Sequence, residues 1–146
     1  HFEDNFYVLT NKDGATNFKL MKTPVSKTEK ENWVDVIPHR KETLLEDFSI
    51  FKEYLVLEET TNGLSKVRIK RWDNKEDYYL PFNEETYSVG VYSNPDFDTN
   101  VIRYSYNSFT TPSSVIDFNM SDKKTPVATL QIESLERKVS IANRYL

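Results

Sequence analysis

Runs that open on Phe6, Tyr54 and Ile102 recur at a fixed interval of 48 residues. Each leads into a turn-like break and returns as a second run. FYVLT (6–10) is followed by NKDG (11–14) and returns as NFKLMK (17–22). YLVLEE (54–59) is followed by TNG (61–63) and returns as SKVRIKR (65–71). RYSYNS (103–108) is followed by FTTPSS (109–114) and returns as VIDFNM (115–120). Asx-Gly pairs tolerate the positive φ of a two-residue hairpin turn, so Gly14 and Gly63 predict tight turns. In the third copy Thr110-Thr111-Pro112 stands in their place and predicts a longer loop.

Other segments fill the intervals with further strands: WVDVI (33–37), LLEDFSI (44–50), YYL (78–80) and YSVGVY (87–92). Pro38 and Pro81 end two of them, since proline cannot donate to a ladder. Val67 and Ile69 alternate with Lys66, Arg68 and Lys70, the period of a strand with one wet face. A repeat near 50 residues holding about four antiparallel strands is the signature of a propeller blade. The fold class expected is therefore all-β: an incomplete β-propeller of about three four-stranded antiparallel blades. The blades fall at about 1–43, 44–86 and 87–131. An ordinary β-sandwich whose strand spacings coincide is the competing reading.

Three blades do not close a ring, which takes roughly four to eight. An open set leaves faces that neighbouring blades should cover, so the chain is expected to be part of a larger protein. The same faces are expected to favour homo-oligomers. Past the blades, Ile132, Leu135, Val139, Ala142 and Leu146 follow spacings of 3, 4, 3 and 4. They predict a short amphipathic C-terminal helix over 132–146, with Ser134 as N-cap, able to cover an open blade face.

Composition narrows the chemistry. With 146 residues, 38% of them hydrophobic, the chain suits one domain. No apolar run approaches the roughly 18 residues of a membrane span. No leader-like segment opens it, so the expected compartment is the cytoplasm, with the periplasm as alternative. The absence of cysteine excludes disulfides, thiol catalysis and Cys-ligated zinc. A net charge of −4, spread along the chain, lacks the basic footprint of a nucleic-acid binder. Nine Tyr and nine Phe suit pleated, half-buried surfaces.

Catalytic constellations fare poorly. A Gly-x-Ser-x-Gly elbow needs two glycines four apart, and Gly14, Gly63 and Gly90 cannot supply them. His39, the one internal histidine, lies at a strand end in Ile37-Pro38-His39-Arg40 and is expected to be a surface loop residue. Asp96-Phe97-Asp98-Thr99-Asn100 starts like a calcium loop, but Val101 and Asn107 occupy the positions that need Gly and Glu. Asp and Asn side chains capping a turn are expected there instead. Neither Glu58-Glu59 nor Glu84-Glu85 makes a converging acid pair, because adjacent strand residues point to opposite faces. Solvated edges are expected. Lys66, Arg68 and Lys70, with Trp72 following, are expected to form a solvated basic face that discourages edge pairing. No residue is assigned a catalytic, cofactor-binding or metal-binding role.

Four stretches carry a family likeness: FYVLTNKDGATNFKLM (6–21), WVDVIPHR (33–40), LLEDFSIFKEYLVLEETTNGLSKVRI (44–69) and IRYSYNSFTTPSSVIDFNM (102–120). They resemble the β-propeller of the oligopeptidase B (protease II) branch of the prolyl oligopeptidase family of serine peptidases. The most specific is the Arg-Tyr-x-Tyr-x-Ser run followed by Thr-Thr-Pro, which resembles the end of that propeller. The likeness fades after about Thr125. It implies the last blades of a seven-bladed ring. It also implies, as partner, a C-terminal α/β-hydrolase domain of the same parent chain, bearing a Ser-Asp-His triad. Short peptides are the implied substrates, cut after Arg or Lys, with the propeller covering the site and filtering by size. The alternative reading is a stand-alone β-rich ligand- or glycan-binding module using the Tyr and Trp side chains; a third is a purely structural interaction domain.

Overall fold

The computed structural model describes residues 1–124 and the strand at 130–131. Eleven strands run in chain order among the described residues: β1 (Asn5–Thr10), β2 (Lys19–Pro24), β3 (Val34–Ile37), β4 (Thr43–Ile50), β5 (Tyr54–Thr61), β6 (Leu64–Arg71), β7 (Asp77–Tyr79), β8 (Tyr87–Val91), β9 (Val101–Ser108), β10 (Ser114–Asn119) and β11 (Leu130–Gln131). They form three sheets in sequence order: β1-β2-β3, β4-β5-β6-β7 and β8-β9-β10-β11. Every pairing is antiparallel, so each sheet is a meander. The fold is all-β and the sheets do not close on themselves, as an incomplete propeller requires.

The first sheet has three strands rather than four. Its leading strand β1 corresponds to β5 and β9, the second strands of the other sheets. Ahead of it, Phe2 and Asn5 bridge in a tight turn instead of extending a strand. The predicted helix at 132–146 lies outside the described residues. No described helix is long and apolar enough to cross a membrane.

The second hairpin is the tight one. Thr61 pairs with Leu64, and Asn62 and Gly63 take φ of 52° and 75°, the type I′ geometry that the Asn-Gly pair favours. The first hairpin departs from its expected tight turn. Its ladder stops at Thr10 and Lys19, leaving a loop at 11–18 that contains a 3-10 turn, Lys12–Gly14. Asp13 and Gly14 still take positive φ, but inside that turn. Asn17 explains why β2 begins late. Its backbone N–H donates to His39 Nε2 (3.3 Å) and its carbonyl accepts from the Leu45 N–H (3.0 Å), which takes both from the ladder, while its side-chain amide donates to the carbonyls of Arg40 (3.2 Å) and Lys41 (2.6 Å).

Apolar side chains fill the two spaces between sheets. Leu20 and Ile37 meet Leu45, Leu55 and Leu57 between the first and second sheets. Val56, Val67 and Ile69 meet Ile102, Tyr104, Tyr106 and Phe118 between the second and third. Tyr54 to Leu57 are four consecutive buried residues, because β5 has a sheet on each side. Strand β9 instead alternates: Ile102, Tyr104 and Tyr106 are buried while Arg103 and Asn107 are exposed. Its outer face is polar, and Arg103 there grips Asp117 with two bonds of 2.7 and 2.8 Å.

Candidate functional site

Strand direction decides which loops share a side. The hairpin tips at 11–18, 62–63 and 109–113 and the sheet-to-sheet crossings at 38–42 and 80–86 all gather at one end of the meanders. Strand β11 also finishes there, with Gln131 registered against Ser114. Two carboxylates expected from the sequence to be solvated brace this end.

Glu59, near the end of β5, is fully buried as a side chain. It accepts from the Arg40 guanidinium and from the Tyr79 hydroxyl (2.7 Å), and Arg68 lies 3.7 Å away. Arg40 comes from the crossing out of the first sheet and also donates to the Tyr79 hydroxyl at 3.2 Å. Glu59 therefore joins that crossing to β6 and β7. Burial, and the bond to Glu59, push the Tyr79 phenol up, so it stays a donor. Glu58 points the other way and accepts from the Val91 backbone N–H at 3.2 Å, linking the second sheet to the third. Burial raises its carboxyl above the usual range. Opposite directions for Glu58 and Glu59 follow the strand period, but neither is a solvated edge. Arg40 and Arg68 offset the charge of Glu59, and Glu58 faces the other way, so the two carboxylates do not converge.

Glu84 braces the third hairpin from the 80–86 crossing. It accepts from the hydroxyls of Tyr106 (2.5 Å), Thr110 and Thr111 (3.3 Å). Inside the loop, the Ser108 hydroxyl accepts from the Thr111 backbone N–H at 2.9 Å, and the Ser108 N–H donates to the Thr111 carbonyl at 2.9 Å. Hydroxyls thus hold a loop that contains no glycine. The hydroxyls of Ser108, Thr110 and Tyr106 around it hold the Glu84 carboxyl down to about 2, from an ordinary 4.5. Burial and Glu84 push the Tyr106 phenol up to about 12. A depressed carboxyl stabilises the folded chain above its unfolded pKa, and that contribution is lost as the pH falls through the folded one. The Glu84→Gln variant should therefore be less stable than wild type above pH 4.5, with the difference shrinking to nothing near pH 2. Chemical denaturation across that window checks it, and a difference independent of pH would refute the assignment. Glu85 beside it is exposed.

The remaining candidates sort differently. His39 lies in the loop after β3, half-buried, and its Nε2 accepts from the Asn17 backbone N–H at 3.3 Å. The basic stripe is half-buried and largely neutralised. Arg68 binds both oxygens of Asp77 at 2.7 Å, Lys70 approaches the same carboxylate at 3.4 Å, and Lys66 lies 5.5 Å from the Tyr79 ring centroid. Trp72 leaves the stripe to stack on Phe2 at 5.2 Å, with its indole N–H on the Phe51 carbonyl. In the Asp96 turn, Asp96 accepts from the Asp98 backbone N–H and Asp98 pairs with Lys52 at 2.8 Å.

Three consecutive antiparallel meanders packed face to face, with crossings and hairpin tips at one end, define a segment of a β-propeller. Residues 1–131 match the family model described as prolyl oligopeptidase, N-terminal beta-propeller domain, and the chain belongs to that family. Among curated proteins it is 37% identical over 119 residues to dipeptidyl aminopeptidase BI of Pseudoxanthomonas mexicana, covering 82% of this chain and 16% of that protein. It is 29% identical over 120 residues to protease 2 of Moraxella lacunata, covering 82% and 17%. Among solved structures, oligopeptidase B from Trypanosoma brucei, in a closed form with covalently bound antipain, superposes with a TM-score of 0.76 at 28% identity, covering 86% and 19%. The chain thus spans less than a fifth of each of these relatives.

Proposed function

We propose that this chain is the propeller segment of a serine oligopeptidase of the oligopeptidase B type. In the parent protein it covers the active site of an α/β-hydrolase domain and filters substrates by size. The observation that carries the reading is the open three-sheet propeller segment, whose family match reaches residue 131. Its blades fall at about 1–43, 44–86 and 87–131. None of its residues is assigned to catalysis, so the isolated chain is expected to have no peptidase activity. Rigid packing between sheets keeps folded proteins out, while separation of the domains admits flexible peptides. The compartment proposed is the cytoplasm, and open sheet faces are expected to let the isolated chain self-associate.

Cleavage after Arg or Lys is the proposed specificity. A second reading, release of dipeptides from a free amino end, is favoured by the 37% identity to a dipeptidyl aminopeptidase. Chromogenic peptides assayed on the parent protein separate the two. Hydrolysis of an N-terminally blocked Arg substrate supports the first; hydrolysis of free-amino dipeptide substrates alone supports the second. A parent whose sequence carries no serine-hydrolase domain would refute both.

A further inference from the structure

Phe109 sits at the tip of the loop between β9 and β10 and is 95% exposed, far more than any other large apolar residue in the described chain. Single exposed apolar residues are ordinary on a protein surface and need no explanation by themselves. Phe109 differs in how it is held. The residues on either side of it are fixed: the Ser108 hydroxyl accepts from the backbone N–H groups of Thr110 and Thr111, and Glu84 accepts from the side-chain hydroxyls of both threonines. Two shallow hollows of about 310 Å³ each adjoin Phe109, one lined also by Glu84, Glu85 and Thr86, the other by Thr86, Ser88 and Asn107. The ring therefore stands exposed on a pre-organised loop, next to shallow recesses. Such an aromatic loses little freedom on binding and is the type of residue that dominates interfaces.

Position selects the occupant. Gln131 of strand β11 is registered against Ser114, at the same end as Phe109. Gln131, where the family match ends, therefore lies at the end of the sheet that carries this loop. The matched segment makes up only 16% and 17% of the two curated relatives, so most of each lies outside it.

We infer that Phe109 is an anchor that the propeller seats in an apolar recess of the catalytic domain, holding the two domains closed. The inference rests on the proposed function, which supplies that domain. The full-length parent tests it. Phe109→Cys and, as a control at the opposite end, Ser93→Cys are labelled with a maleimide and read site by site by mass spectrometry. The thiol at position 109 is expected to react about tenfold more slowly than the thiol at position 93, irrespective of protein dilution. Phe109→Ala is expected to raise cleavage of long peptides relative to short ones by about fivefold, whereas Phe109→Leu leaves the ratio near wild type. Equal labelling rates would overturn the inference. So would protection that disappears on dilution, which indicates a second copy of the chain, or protection with unchanged length selectivity in Phe109→Ala. A parent without a hydrolase domain would instead sink the proposed function itself, a result visible before any labelling.

Discussion

Replacing Glu59 by alanine is expected to lower the free energy of unfolding by about 3 kcal/mol, the low end of the cost of breaking a buried ion pair. The low end applies because the Arg40 and Arg68 side chains keep 31% and 19% of their exposure, so water partly compensates. Arg68 also retains Asp77. Arg40 keeps the Tyr79 hydroxyl, but the crossing at 38–42 loses its charged tie to β5. Glu59→Gln should cost less, since the amide preserves shape and one acceptor while removing the charge. The control is Glu85→Ala, an exposed carboxylate, with an expected effect within about 0.5 kcal/mol. Urea unfolding of the three variants beside wild type measures the set. If Glu59→Ala and Glu85→Ala unfold alike, Glu59 is not the brace described.

The second large effect concerns the space between the second and third sheets. Ile102 has no exposed surface and packs in the cluster with Val56, Val67 and Ile69. Ile102→Ala is expected to cost about 3 kcal/mol, the lost transfer of the side chain plus the cavity it leaves. Two strand ladders surround the site, and they cannot collapse into the void without breaking register. The midpoint of unfolding should fall with little change in its denaturant dependence, since the surface exposed on unfolding stays nearly the same. Val34→Ala, at a residue 52% exposed, serves as the comparison and should cost far less. Equal costs at the two sites would mean that the sheets do not pack through Ile102.

Much of this architecture is legible in the order of the residues. The 48-residue interval locates β1, β5 and β9, because a repeated supersecondary unit must repeat its strand and turn residues. Alternation in β6 sets its two faces, since successive side chains point to opposite sides of a strand. Asn62-Gly63 announces a tight turn and makes one. Asp13-Gly14 announces another and does not, because the Asn17 backbone spends its hydrogen bonds on His39 and Leu45, more than twenty residues away. The run Leu55-Val56-Leu57 holds a further signal. It fails to alternate, which marks a strand covered on both faces and places β5 between two sheets.

The carboxylates draw the dividing line. Local chemistry alone determined the strands, their faces and the opposite directions of Glu58 and Glu59, since these depend on backbone geometry that each residue carries with it. It also ruled out a nucleophile elbow and cysteine chemistry within these 146 residues. Tertiary structure decided that Glu59 is buried against arginine, that Asp77 pairs with Arg68 and Lys70 of the basic stripe, and that Glu84 fastens the loop bearing Phe109. The physical reason is register and sheet packing. Arg40 and Glu59 lie 19 residues apart, and Glu84 and Thr111 lie 27 apart. Those partners meet only once strands far apart in sequence have paired in register, so nothing in either residue's neighbourhood could show that a surface-like glutamate would become a structural tie.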